Sequence, residues 1–137
     1  MEKTRKYATY IICVNIFLIL SAVFIGLPKE GIQALLPNYI LISTAILAVT
    51  FAAIAINKTL NKEEQQLAGI TAAFSILGIY SSIFCLYLSY INGDFYFSPF
   101  YFSPIKIIFY GATFCVITSI LAIALLAAKI IEPEKKD

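Results

Sequence analysis

The chain of 137 residues has no histidine, and its ten basic and eight acidic side chains stay out of the deep part of every long apolar run. Without imidazole there is no His-ligated haem, little scope for zinc or di-iron centres, and no Ser/His or Cys/His pair to activate a nucleophile. Without an ionisable side chain at membrane depth, proton- or sodium-coupled transport loses its usual relay. Tyrosine and cysteine remain, but with ordinary pKa values of about 10 and 8.5 they move protons poorly at neutral pH. The three cysteines, Cys13, Cys85 and Cys115, form no C-x-x-C pair and fall inside apolar runs. They read as small packing residues, not as a disulfide framework or redox relay. Nor does the sequence hold a glycine-rich phosphate loop, an EF-hand loop or a dinucleotide-binding fingerprint. These gaps point away from an enzyme and imply no cofactor and no metal site.

What the chain does have is apolar side chains. Hydrophobic residues make up 61% of it against 13% charged, with a mean hydropathy of +0.88, a membrane composition. Four apolar runs, about Tyr7–Gly26, Asn38–Ile56, Leu67–Ile91 and Ile105–Ile131, match or exceed the roughly 20 residues that cross a ~30 Å hydrocarbon core. The first follows Lys3, Arg5 and Lys6 in the manner of a signal peptide, but no A-x-A-like cleavage site comes after it, so it reads as a retained helix. The expected fold is an all-α, polytopic integral membrane protein, a left-handed bundle of four transmembrane helices in up-down-up-down order. Its helices are expected over residues 7–26, 38–56, 62–92 and 104–132, in one transmembrane domain covering residues 1–137.

Basic residues set the expected orientation. With the N-terminus inside, Lys3, Arg5, Lys6, Lys58, Lys62, Lys129, Lys135 and Lys136 fall on the inner face and only Lys29 and Lys106 on the outer. This bias puts both termini in the cytoplasm and the protein in the plasma (inner) membrane. The net charge of +2 is spread over separate segments and forms no nucleic-acid patch.

Helix punctuation agrees with these bounds. Gly26 and Pro28 end the first helix, and Pro37 suits the first turn of the second. Asn61 and Glu64 form a capping-box start for the third, Asn92 and Gly93 stop it, and Pro133 closes the fourth. Residues 95–104 read FYFSPFYFSP, one pentapeptide written twice. Ser103-Pro104 is a helix start, serine as N-cap and proline at the first helical position. Phe95, Tyr96, Phe97, Phe100, Tyr101 and Phe102 then occupy an outer loop, residues 93–103, in the headgroup zone. There they serve as an aromatic belt anchor or, four of them being phenylalanine, as a docking surface or lid.

The strongest pattern lies on the third helix. Ala68, Thr71, Ser75, Gly78, Ser82, Cys85 and Ser89 repeat at spacings of 3, 4, 3, 4, 3, 4, so one heptad seam is small along its whole length. In lipid, small seams let backbones approach, and this one is expected to be buried at a left-handed crossing of roughly +20°. Shorter stripes occur at Ala45, Ala48, Ala52 and Ala55, at Gly111, Cys115, Thr118 and Ala122, and at Ala8, Asn15 and Ala22. Together they suggest four complementary small seams. A second face of the third helix carries Leu77, Tyr80, Phe84 and Tyr87. Tyr80 near mid-membrane needs a hydrogen bond within the bundle or a contact with another subunit. Asn15 and Thr113 are further intramembrane polar groups, with Asn15 suited to joining helices.

The expected function is that of a small non-enzymatic membrane protein, an accessory, assembly or protective subunit that packs against a membrane-protein partner or a second copy among membrane lipids. The alternative is an oligomeric transport or flippase-type module for a lipid-like or neutral solute, with Asn15, Ser75, Ser82 and Thr113 lining the path.

Overall fold

A computed structural model describes residues 2–25, 29–56, 59–91 and 104–131, with the side chains of α1 described at Lys6, residues 9–18 and Leu20. These residues form four helices, α1 Glu2–Ile25, α2 Lys29–Ile56, α3 Lys62–Ile91 and α4 Pro104–Ile131. Among the described residues, Glu30–Ile56, Lys62–Ile91 and Ile105–Ile131 are long and apolar enough to cross a membrane. Among the described side chains of α1, Thr9–Leu18 form an apolar segment of the same helix. The aromatic segment 93–103 lies outside the described residues.

Local chemistry sets several helix starts. At the head of α3 the Asn61 N–H donates to Glu64 Oε2 (2.9 Å) and the Glu64 N–H donates to Asn61 Oδ1 (3.0 Å), a reciprocal capping box. Glu63 and Glu64 also face the positive end of the helix dipole in this first turn. α4 opens on Pro104, where a missing N–H leaves no bond unmade.

Two helices begin earlier than their sequence signals indicate. α1 starts at Glu2 instead of Tyr7, and α2 starts at Lys29 instead of Asn38, which puts Pro37 inside the helix. An internal proline forfeits one backbone hydrogen bond and costs ~3 kcal/mol. The turns before it outweigh that cost, because Ile32 and Leu36 are fully buried against Cys85 of α3 and Ile105 and Phe109 of α4. In lipid the gain is the dispersion contact of closely packed side chains, supplied here by three neighbours on two helices.

α3 packs most extensively on α4 and next on α2, α2 also touches α4, and α1 rests on α4. Polar contacts tie the elements. Gln33 Nε2 donates to Ser89 Oγ (3.3 Å), joining the start of α2 to the end of α3. Lys129 forms an ion pair with Glu63, joining the end of α4 to the start of α3. Tyr39 and Thr113 share a hydroxyl–hydroxyl bond of 3.2 Å between α2 and α4. Apolar clusters close both ends of this three-helix core. Ile32, Leu36, Cys85, Ile105 and Phe109 form one, with the Tyr39 ring stacked on Phe109, and Leu67, Ala68 and Leu126 form the other. Between the clusters the contacts are made by small and hydroxylic side chains.

Candidate functional site

The seven small residues of α3 are all buried and, with Leu67, make up the buried set of that helix. Gly78 marks a close approach. A Cβ added there would lie 3.0 Å from Ser43 Oγ of α2, 3.6 Å from Cys115 Cβ and 3.6 Å from Val116 Cγ2 of α4. Three helices therefore meet at a residue with no side chain. The surfaces opposite the seam are larger. α2 buries Ile32, Leu36, Ser43, Ile46 and Thr50 with Tyr39 half-buried between them, and α4 buries Ile105, Phe109, Val116 and Leu126 among smaller residues. Large side chains of α2 and α4 pack with the small residues of α3 toward the two apolar clusters, and Ser43, Cys115 and Val116 meet α3 at Gly78.

This differs from the expectation of four complementary small seams. Ala45, Ala48, Ala52 and Ala55 of α2 are all exposed, on the side away from α3. Gly111 of α4 is exposed too, with nothing within 4 Å of an added Cβ, whereas Thr118 and Ala122 are buried. The physical reason is volume. Two small seams face to face leave a void unless the backbones touch, and a small seam against large side chains reaches interior density without one.

Hydroxyl groups in the core divide into two sets. Thr50, Thr71, Thr113 and Ser119 donate to carbonyls of their own helices at 2.7–2.9 Å, the local bond that Ser and Thr make in a helix. Ser43, Ser75 and Ser82, all fully buried around Gly78, have hydroxyl oxygens with no partner among the described residues. Three buried hydroxyls without a partner among the described residues thus cluster near this close approach.

Asn15, also fully buried, joins α1 to α4. Its Nδ2 donates to Thr118 Oγ1 (2.9 Å) and to the Ile11 carbonyl (3.1 Å). Thr113 sits at the α2–α4 contact with Tyr39. The four groups expected to line a solute path therefore lie in separate contacts, with Asn15 between α1 and α4, Thr113 between α2 and α4, and Ser75 and Ser82 closed inside the α3 seam.

Tyr80 points the other way. It is 70% exposed, and its hydroxyl has no hydrogen bond among the described residues. Leu77, Phe84 and Tyr87 stand on the same outward face. A rise of ~1.5 Å per residue puts Tyr80 about 2 Å from the midpoint of the apolar stretch 67–91. The outer-loop residues Phe95, Tyr96, Phe97, Phe100, Tyr101 and Phe102 are outside the described residues.

The Glu63–Lys129 pair escaped the sequence reading, although opposite charges at the head of one helix and the tail of the next are its signal. Tyr39 and Ser43 escaped it as well, because the start set for α2 at Asn38 hid the register to which they belong. Among the described residues, no three potential metal ligands converge. Comparison with protein-family models, with curated proteins and with solved structures returned no match, so the functional reading rests on the chain's own residues.

Proposed function

We propose that this chain is a non-enzymatic membrane subunit that acts by lateral packing against a partner in the bilayer, in an accessory, assembly or protective role. It crosses the membrane four times as a left-handed up-down-up-down bundle, with α1 completing the three longer spans. Both termini lie in the cytoplasm, as the eight-to-two bias of basic residues favours. The observation that carries the reading is Tyr80, a phenol near the middle of α3 that is exposed and has no hydrogen-bond partner among the described residues. An unpaired hydroxyl in hydrocarbon is costly, and a helix docked on this face offers it an acceptor.

The outward alanines of α2 support the same reading, since Ala45, Ala48, Ala52 and Ala55 present a seam that no helix of the bundle uses. The lack of histidine and of deep ionisable side chains fits a packing role better than a chemical one. The test is isolation in mild detergent followed by native mass spectrometry. A stoichiometric complex, with itself or with another membrane protein, is the expected result. Recovery of a pure monomer, with Tyr80→Phe behaving as wild type in every assay, overturns the proposal.

A further inference from the structure

We infer that the partner on the outward face of α3 is a second copy of this chain, docked as a parallel, two-fold symmetric pair. The inference rests on the packing role proposed above and names the partner. Three features of the face carry it.

The first is its period. Leu77, Tyr80, Phe84 and Tyr87 lie two positions after Ser75, Gly78, Ser82 and Cys85 and share the 3, 4, 3 spacing of that seam, a register along which a second helix can follow this face by left-handed supercoiling.

The second is its area. Leu77, Tyr80, Ile83, Phe84, Tyr87 and Tyr90 are each between 49% and 72% exposed. At ~150–250 Å² for a large side chain they present about 540–900 Å². A stable interface takes ~800 Å² from each partner.

The third is the chemistry of the phenol. Tyrosine hydroxyl is both donor and acceptor, so it is complementary to itself. In a two-fold interface the same residue of each copy meets its counterpart. Two copies of one sequence obey the same charge bias and insert the same way up, which brings Tyr80 opposite Tyr80 at equal depth. Each hydroxyl then has a partner in the middle of the membrane, and neither copy has to contribute a new polar group. The exposed alanine stripe of α2 lies on another helix and stays open in such a dimer for a different membrane protein.

Cysteine cross-linking in native membranes tests this. Leu77→Cys and Phe84→Cys, each in a chain with Cys13, Cys85 and Cys115 changed to alanine, are treated with copper phenanthroline as oxidant. Disulfide-linked dimers at twice the chain mass are expected from both positions and none from Val49→Cys on the outward side of α2. A band joining either α3 position to a different protein overturns the inference while leaving the packing role intact. No adduct at either position, with a monomer in mild detergent, overturns both. If the cysteine-free chain fails to fold, the wild-type cysteines are kept and energy transfer between terminally labelled chains is followed as liposomes are diluted with lipid. Tyr80→Phe is expected to raise the dissociation constant about threefold, because an interhelical hydrogen bond in lipid averages ~0.6 kcal/mol. Absence of transfer in the wild type at the highest protein density overturns the inference.

Discussion

Gly78 is the position where the architecture is most exposed to a single substitution. A methyl group added there meets Cys115 Cβ and Val116 Cγ2 at 3.6 Å and Ser43 Oγ at 3.0 Å. The first two are ordinary contacts, inside the ~3.5–4.0 Å optimum for carbon pairs, and the third is too short. Ser43 can yield only by turning its hydroxyl within a fully buried site. Overpacking of this kind costs roughly 1–3 kcal/mol, and the better helix propensity of alanine returns about 1 kcal/mol. Gly78→Ala is therefore expected to destabilise by ~0–2 kcal/mol, and Gly78→Leu, which drives three more carbons into the same three-helix junction, by ~3 kcal/mol or more. Gly69 and Gly111 are internal controls, because an added methyl at either meets nothing within 4 Å. Alanine at those two positions is expected to be neutral or to stabilise by up to ~1 kcal/mol. The assay is reversible unfolding in mixed micelles of mild detergent and dodecyl sulfate. Ser43→Ala supplies the decisive comparison, since removing the clashing oxygen is expected to abolish most of the penalty of Gly78→Ala, a coupling of ~1 kcal/mol between the sites. If Gly78→Ala tracks the two control glycines and is additive with Ser43→Ala, the close approach at Gly78 is refuted. If Gly78→Leu folds unchanged, the seam faces lipid and the three-helix core is lost with it.

Other perturbations probe separate contacts. Asn15→Leu is expected to loosen α1 from α4 at a cost of ~0.6–1.7 kcal/mol, seen as faster proteolysis of the N-terminal helix, and an unchanged rate would remove the Asn15–Thr118 bond from the account. Ser75→Ala and Ser82→Ala delete buried hydroxyls that lack partners, so melts in detergent should show no loss and up to ~1 kcal/mol of gain; a clear loss at either would reveal a bond that the hydroxyl makes. Glu63→Gln breaks a partly exposed ion pair and should cost under ~1 kcal/mol, shrinking further as salt is raised, and a larger, salt-independent loss would contradict a surface contact. The number of crossings is read by labelling single cysteines with a membrane-impermeant reagent. Lys3→Cys and Lys135→Cys are expected to react from the cytoplasmic side and Lys29→Cys from the other. Reaction of the two terminal sites from opposite sides would leave three crossings in place of four.

Much of the helical architecture was legible because its signals are local. The capping pair Asn61 and Glu64, three residues apart, fixes the head of α3 with two hydrogen bonds between its own members. Ser103-Pro104 marks the head of α4 for the same kind of reason, since proline at the first helical position depends on nothing distant. The unbroken small heptad on α3 indicated a packing face, and its residues are buried. What was not legible depended on partners elsewhere in the chain. Whether Tyr80 turned inward or outward could not be read from α3 alone, because the answer lies in where α2 and α4 sit. The Asn15–Thr118 and Tyr39–Thr113 bonds join residues far apart in sequence, and neither partner carries a mark that singles out the other.

The misreading of α2 has one cause. Pro37 led to a helix start at Asn38, which cut off Ile32 and Leu36 and left the alanines at 45, 48, 52 and 55 as the most regular feature of what remained. Once α2 begins at Lys29, residues 32, 36, 39, 43, 46 and 50 form a second stripe at spacings of 4, 3, 4, 3, 4, and this is the stripe that faces the core. Its Ile, Leu and Tyr side chains have the volume to occupy the groove of α3, and alanine does not. Residues of α2 larger than alanine thus share the core with the all-small seam of α3, and the alanine stripe of α2 is surplus to that contact. Surplus small stripes inside a bundle would cost packing, so α2 turns its alanines outward. There they allow the close backbone approach of a helix from another molecule.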